Sequence, residues 1–89
     1  MAATLQFELV SPEKKLASAA VAMVVVPGTE GDFGVLPGHA PMMSTIRPGI
    51  IEIYATEGTT PSARYEIDGG FAEVTPEGLT ILAEAAILL

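Results

Sequence analysis

Polar and apolar residues alternate with a period of two through most of this 89-residue chain, and that rhythm admits strands and little else. Leu5, Phe7 and Leu9 alternate with Thr4, Gln6 and Glu8. Ile51 and Ile53 alternate with Glu52 and Tyr54, and Tyr65 and Ile67 with Arg64 and Glu66. Leu79, Ile81 and Ala83 share one parity of the last segment. No stretch carries a strong helical stripe. Turn chemistry interrupts the alternation roughly every eight to twelve residues, a spacing that suits an antiparallel sandwich or barrel.

The expected strands are 5–9, 20–26, 33–36, 42–46, 50–55, 63–67, 71–74 and 79–85. Residues 20–26 (AVAMVVV) are apolar on both parities, so both faces of that strand should be covered. Residues 11–15 (SPEKK) and 75–78 (TPEG) read as strand connections, and 56–61 (TEGTTP) as a polar hairpin tip. Arg47-Pro48-Gly49 carries type II turn chemistry, and Asp68-Gly69-Gly70 that of a tight hairpin turn.

Length allows one domain, taken as 1–89, with a modest core. There is no cysteine, so disulfides and thiolate chemistry are excluded. Eleven acidic residues against four basic ones give a net charge of −7, which argues against nucleic acid or an anionic membrane as partner. No apolar run approaches the roughly 20 residues of a spanning helix, so no direct membrane insertion is expected. The first ten residues, MAATLQFELV, lack the basic segment of a secretory signal.

Residues 27–41 (PGTEGDFGVLPGHAP) form the most tightly specified connection, with the only histidine and two acids, Glu30 and Asp32, that have no basic neighbour in sequence. Little chemistry can be built there. His39 has no cysteine or second histidine to share a metal, and no serine lies in a nucleophile-elbow context. Two carboxylates on an exposed loop lack the burial that tunes a general acid. Gly28, Gly31 and Gly34 are three apart, but no Lys-Ser or Lys-Thr follows and the acids would repel a phosphate. These residues therefore read as turn makers and surface contacts, with no catalytic residue, metal or cofactor. Met42 and Met43 have opposite parity on one strand, so one is expected outside, beside His39, where an adaptable thioether suits a protein interface. The chain also ends on an apolar run, 85–89 (AAILL), which reads either as a last strand entering something not contained in these residues or as a surface that a partner covers.

Several motifs in order resemble one family. Ser11-x-Glu13, an apolar strand, the 27–41 run, Ile46-Arg47-Pro48-Gly49, Gly69-Gly70-Phe71 and finally 79–84 (LTILAE) resemble the N-terminal domain of the epsilon subunit of bacterial F-type ATP synthases, called delta in mitochondria. The resemblance spans essentially the whole chain. It implies a flattened ten-stranded β-sandwich without an active site, at the foot of the rotating central stalk. It further implies packing on the gamma subunit, contact with the polar loops of the membrane ring of c subunits, and an indirect link to the catalytic alpha/beta head. The complex would lie at the cytoplasmic face of the bacterial inner membrane. By the same resemblance Glu30, Gly31 and Asp32 face the ring, and Ser11, His39, Met42 and Ser44 lie toward gamma. The family's aromatic-Ser-Gly before the second strand is replaced here by 16–20 (LASAA), and its usual two-helix C-terminal domain, with the inhibition and ATP binding it carries, is absent from these 89 residues.

Two other readings start from the same residues. One is a free-standing sandwich whose acidic loop captures a cation or a basic peptide; two carboxylates are few for calcium. The other is a small enzyme using His39 with Glu30 or Asp32.

Overall fold

The computed structural model describes residues 3–58 and 60–89. Its ten elements are all strands: β1 (Leu5–Val10), β2 (Lys15–Val21), β3 (Met23–Gly28), β4 (Gly31–Val35), β5 (Met42–Ile46), β6 (Gly49–Tyr54), β7 (Ala63–Ile67), β8 (Gly70–Thr75), β9 (Gly78–Leu82) and β10 (Ala86–Leu88). They hydrogen-bond in the order β10-β7-β6-β3-β5-β8-β9-β1-β2, with β4 on β3. The joint between β3 and β5 is a single residue pair, Gly28 with Ile46. The sheet folds over at that joint into two leaves. Leaf A is β10-β7-β6-β3-β4 and leaf B is β5-β8-β9-β1-β2. The expected all-β, ten-stranded sandwich is what the chain forms.

The inward parity of each leaf supplies the core. Val24, Val26, Val35, Ile51, Ile53 and Ile67 come from leaf A, and Leu5, Phe7, Leu9, Val21, Ile46, Ala72, Val74, Leu79 and Ile81 from leaf B. No polar or charged side chain among the described residues is buried, so the core demands no internal polar network. Burial of this kind is the main favourable term in folding, and its alternation with exposed residues fixes register, since a one-residue slip would turn every core side chain outward.

Some sequence expectations need correction. The apolar run 20–26 is two strands: β2 ends at Val21, β3 starts at Met23, and the chain passes from leaf B to leaf A at buried Ala22. The expectation that both faces are covered holds only at the corner itself: Val21, Ala22, Val24 and Val26 are buried, whereas Ala20 is exposed and Met23 and Val25 are half-buried. Asp68-Gly69-Gly70 is also a crossing between leaves, because β7 pairs with β6 and β10 while β8 pairs with β5 and β9. Gly49 belongs to β6 and has no positive φ, so Arg47-Pro48-Gly49 is not a type II turn. That chemistry appears instead at 36–39, where Pro37 is second, Gly38 takes φ 83° and the His39 amide donates to the Leu36 carbonyl at 3.0 Å. Eight of the nine strand pairings are antiparallel, but β1 and β9 run parallel, Gln6 opposite Gly78 through Val10 opposite Leu82. The tip expected at 56–61 includes Thr59, which lies outside the described residues.

Gly70 shows what the crossing requires. It takes φ 147°, and a β-carbon there would overlap the Leu82 carbonyl oxygen. Gly70→Ala is expected to lower unfolding free energy by about 2 kcal/mol or more, from strain plus overlap with backbone, read by urea denaturation. Leu9, fully buried, and Leu82, exposed, sit one pair apart on neighbouring strands. Leu9→Ala should cost about 2–5 kcal/mol by the same measurement, and Leu82→Ala no more than about 0.5 kcal/mol. Equal losses would mean that the leaves do not enclose Leu9 as described.

Candidate functional site

The hairpin β3–β4 projects from the joint between the leaves. Gly28 pairs with Gly31, Pro27 with Asp32 and Val26 with Phe33, which leaves Thr29 and Glu30 as a two-residue tip. The tip is tied to leaf B rather than free. The Thr29 amide donates to the Thr45 carbonyl at 3.1 Å, and the two threonine hydroxyls lie 2.8 Å apart. Arg47, just after β5, donates from Nη1 to the Gly28 carbonyl and from Nη2 to Asp32 Oδ1, both at 2.6 Å.

Asp32 therefore does have a basic neighbour, supplied from 15 residues away. This corrects the picture of two unpaired acids. Sequence proximity could not reveal it, because the contact exists only once β3 is flanked by β4 on one side and β5 on the other. Glu30 makes no ion pair or hydrogen bond among the described residues. Both members of the Arg47–Asp32 pair are well exposed, so the pair acts more through geometry than through Coulomb energy.

A concave surface of about 540 Å³ opens between this hairpin and β5. It brings together Glu30, Gly31 and Asp32 with His39, Met42 and Ser44, six of the seven residues singled out from the sequence. Phe33, Met43 and Thr45 complete its wall. Strand parity places one methionine outside, but both are exposed, Met43 at 70% and Met42 at 36%. The groove is not arranged for chemistry. His39 Nδ1 faces the Ala40 carbonyl at 2.7 Å, and Ser44 Oγ donates to the Thr45 carbonyl at 2.9 Å. Among the described residues no group of three or more His, Cys, Asp or Glu side chains could hold a metal ion.

Ser11 lies elsewhere, at the β1–β2 connection. Its hydroxyl donates to the Lys14 carbonyl at 3.2 Å and accepts from the amides of Glu13 and Lys14 at 3.4 and 3.3 Å. Here the side chain builds a local turn.

A second surface was not evident from the strand readings. On the outer face of leaf B, Thr45 pairs with Phe71, Phe71 with Leu82, and Leu82 with Val10. These four residues make a row across β5, β8, β9 and β1. Phe71 is 51% and Leu82 48% exposed. The signal was present in sequence, since both are large apolar residues on the solvent parity of their strands. Only the register shows that they are neighbours. The row runs from Val10, next to Ser11, to Thr45, next to Ser44, and so links the outlying candidate Ser11 to the groove. Large apolar residues gathered on an otherwise polar face are characteristic of contact surfaces.

Comparison with known proteins gives a consistent result. The family described as the β-sandwich domain of the ATP synthase delta/epsilon chain matches residues 4–89. An ATP synthase epsilon chain from Rhodospirillum centenum is 64% identical over 86 residues, covering 97% of this chain and 59% of that one. One from Parvibaculum lavamentivorans is 60% identical over 89 residues, covering all of this chain and 66% of that one. The chain thus spans about 60% of the length of such relatives. Among solved structures, a chain of the Euglena gracilis mitochondrial ATP synthase OSCP/F1/c-ring assembly superposes with a TM-score of 0.85 at 30% identity, covering 97% of this chain and 54% of that one. A chain from the Tetrahymena thermophila mitochondrial ATP synthase central stalk and c-ring shares the fold, with a TM-score of 0.76 at 17% identity over 93% of this chain and 65% of that one. With the match running from residue 4 to residue 89 and the two-leaf sandwich in place, the chain belongs to the delta/epsilon-chain β-sandwich family of ATP synthases.

Proposed function

We propose that this chain is the sandwich part of an epsilon subunit in the central stalk of a bacterial F-type ATP synthase. It catalyses nothing itself. It joins the gamma subunit to the membrane ring of c subunits, so that proton-driven rotation reaches the catalytic alpha/beta head. Under this reading it works at the cytoplasmic face of the inner membrane, held there by its neighbours, and needs no cofactor. The observation that carries the reading is the uninterrupted family match over residues 4–89.

The geometry supports that role. A coupling element must transmit torque without deforming, and a dry core enclosed by two leaves resists shear. It must also hold two partners at once. The hairpin tip, with Glu30 at its apex, suits the ring loops, where charge complementarity steers docking and fixes register more than it adds affinity. The row of Val10, Leu82, Phe71 and Thr45, bounded by Ser11 and Ser44, suits gamma. His39, Met42 and Ser44 share the groove wall with the hairpin, so the two contacts would adjoin at β5. The apolar row favours a packed protein neighbour over the free-standing cation-capturing module. The small-enzyme reading has no geometric support, since Arg47 engages Asp32 and a backbone carbonyl faces His39.

Two outcomes are expected. The double variant Phe71→Glu, Leu82→Glu should weaken binding of the purified gamma subunit by about tenfold or more, as loss of central apolar anchors does, with the urea midpoint nearly unchanged. Gamma binding at wild-type strength would remove the outer face of leaf B from the interface. Glu30→Lys should lower proton-coupled ATP synthesis in the reconstituted complex while gamma binding stays intact. Unchanged synthesis would show that the tip does not meet the ring.

A further inference from the structure

We propose that Arg47 is a positioning residue for the hairpin tip. Its guanidinium clasps the Gly28 carbonyl and the Asp32 carboxylate together, which leaves Glu30 as the one free carboxylate offered to a cationic side chain on the partner. The partner half of this inference rests on the function proposed above; the clasp itself does not.

Three observations converge on the clasp. The Arg47 backbone is anchored, its amide donating to the Pro27 carbonyl at 3.0 Å, so the side chain starts from a fixed point. Its two terminal nitrogens then reach different strands: Nη1 the last carbonyl of β3 and Nη2 the second residue of β4. A planar fork with both prongs occupied holds its acceptors at a set separation, which a flexible ammonium cannot do. The bond to Gly28 is part-buried and lies at the ladder pair, Gly28 with Ile46, through which β3 meets β5. The clasp thus couples the tip's attitude to leaf B.

The electrostatic consequence concerns specificity. Without Arg47 the tip would present two negative charges two residues apart. With Asp32 tethered to Arg47, Glu30 is the tip carboxylate that has no ion-pair partner among the described residues, on a two-residue tip pinned at Thr29 by Thr45. A single charge at a fixed place defines a register, whereas a diffuse pair of charges attracts without locating.

The test is amide hydrogen exchange on the purified protein with Arg47→Met, Arg47→Lys, Asp32→Asn and Glu30→Gln. Arg47→Met should speed exchange in residues 28–33 by about tenfold or more while the amides of β1 and β9 keep wild-type rates, as local opening does. Arg47→Lys and Asp32→Asn should fall between, each keeping one of the two bonds, and Glu30→Gln should be silent. Wild-type exchange in 28–33 for Arg47→Met would overturn the proposal. So would acceleration that rises equally in β1 and β9, which would make Arg47 a general stabiliser; if Arg47→Met fails to fold, Arg47→Lys and Asp32→Asn decide by the same criterion. Coupled synthesis in the assembled enzyme separates the two layers. Loss with both Arg47→Met and Glu30→Gln supports the whole chain of inference. A loosened hairpin with full synthesis in both keeps the clasp and removes the ring contact.

Discussion

Gly28 pairs with Gly31 of its own hairpin on one side and with Ile46 of the opposite leaf on the other. That one residue is where a ten-stranded sheet becomes two facing leaves, and the neighbouring contacts gather around it. The Arg47 amide reaches the Pro27 carbonyl, the Arg47 side chain reaches the Gly28 carbonyl, and the Thr29 amide reaches the Thr45 carbonyl. If the joint slipped by a residue, Val24 and Val26 would turn outward and the hairpin tip would lose its footing on β5. Core closure and tip placement are therefore the same structural event. A load applied at the tip would be passed to both leaves at their junction and not to a flexible loop.

Much of this was legible in sequence. Period-two alternation located the strands, and the inward parity of Leu5, Phe7, Leu9, Ile51, Ile53, Leu79 and Ile81 foretold the core. The departures have a common cause. Ala22, the Asp68–Gly70 crossing and the parallel β1–β9 ladder all depend on which leaf a strand joins, and local pattern says nothing about that. Turn chemistry was likewise read correctly in kind but not in place. Pro-Gly occurs at 27–28, 37–38 and 48–49, and only tertiary pairing decides which Gly must take a positive φ.

The contact surfaces divide in the same way. His39, Met42, Ser44, Glu30, Gly31 and Asp32 were found as individual residues, and the fold gathers them into one groove. Arg47 escaped notice because its partner lies across the joint. Phe71 and Leu82 escaped because each is unremarked alone, and their pairing needs the β8–β9 register. Surfaces made from one residue per strand are invisible to local reading and immediate once strands are aligned.

The parallel ladder has a further consequence, in time rather than in space. Of these ten strands β1 is made before the rest, yet it is held between β2, which follows at once, and β9, which comes much later in sequence. Gln6 meets Gly78 only after β2 to β8 have been made. Closing so long a loop must precede the reward of the contacts it brings, which slows folding of such topologies. Until then β1 has a hairpin partner on one side and an unpaired edge on the other, so leaf B is completed late, after the strands of the facing leaf A up to β7 have been made.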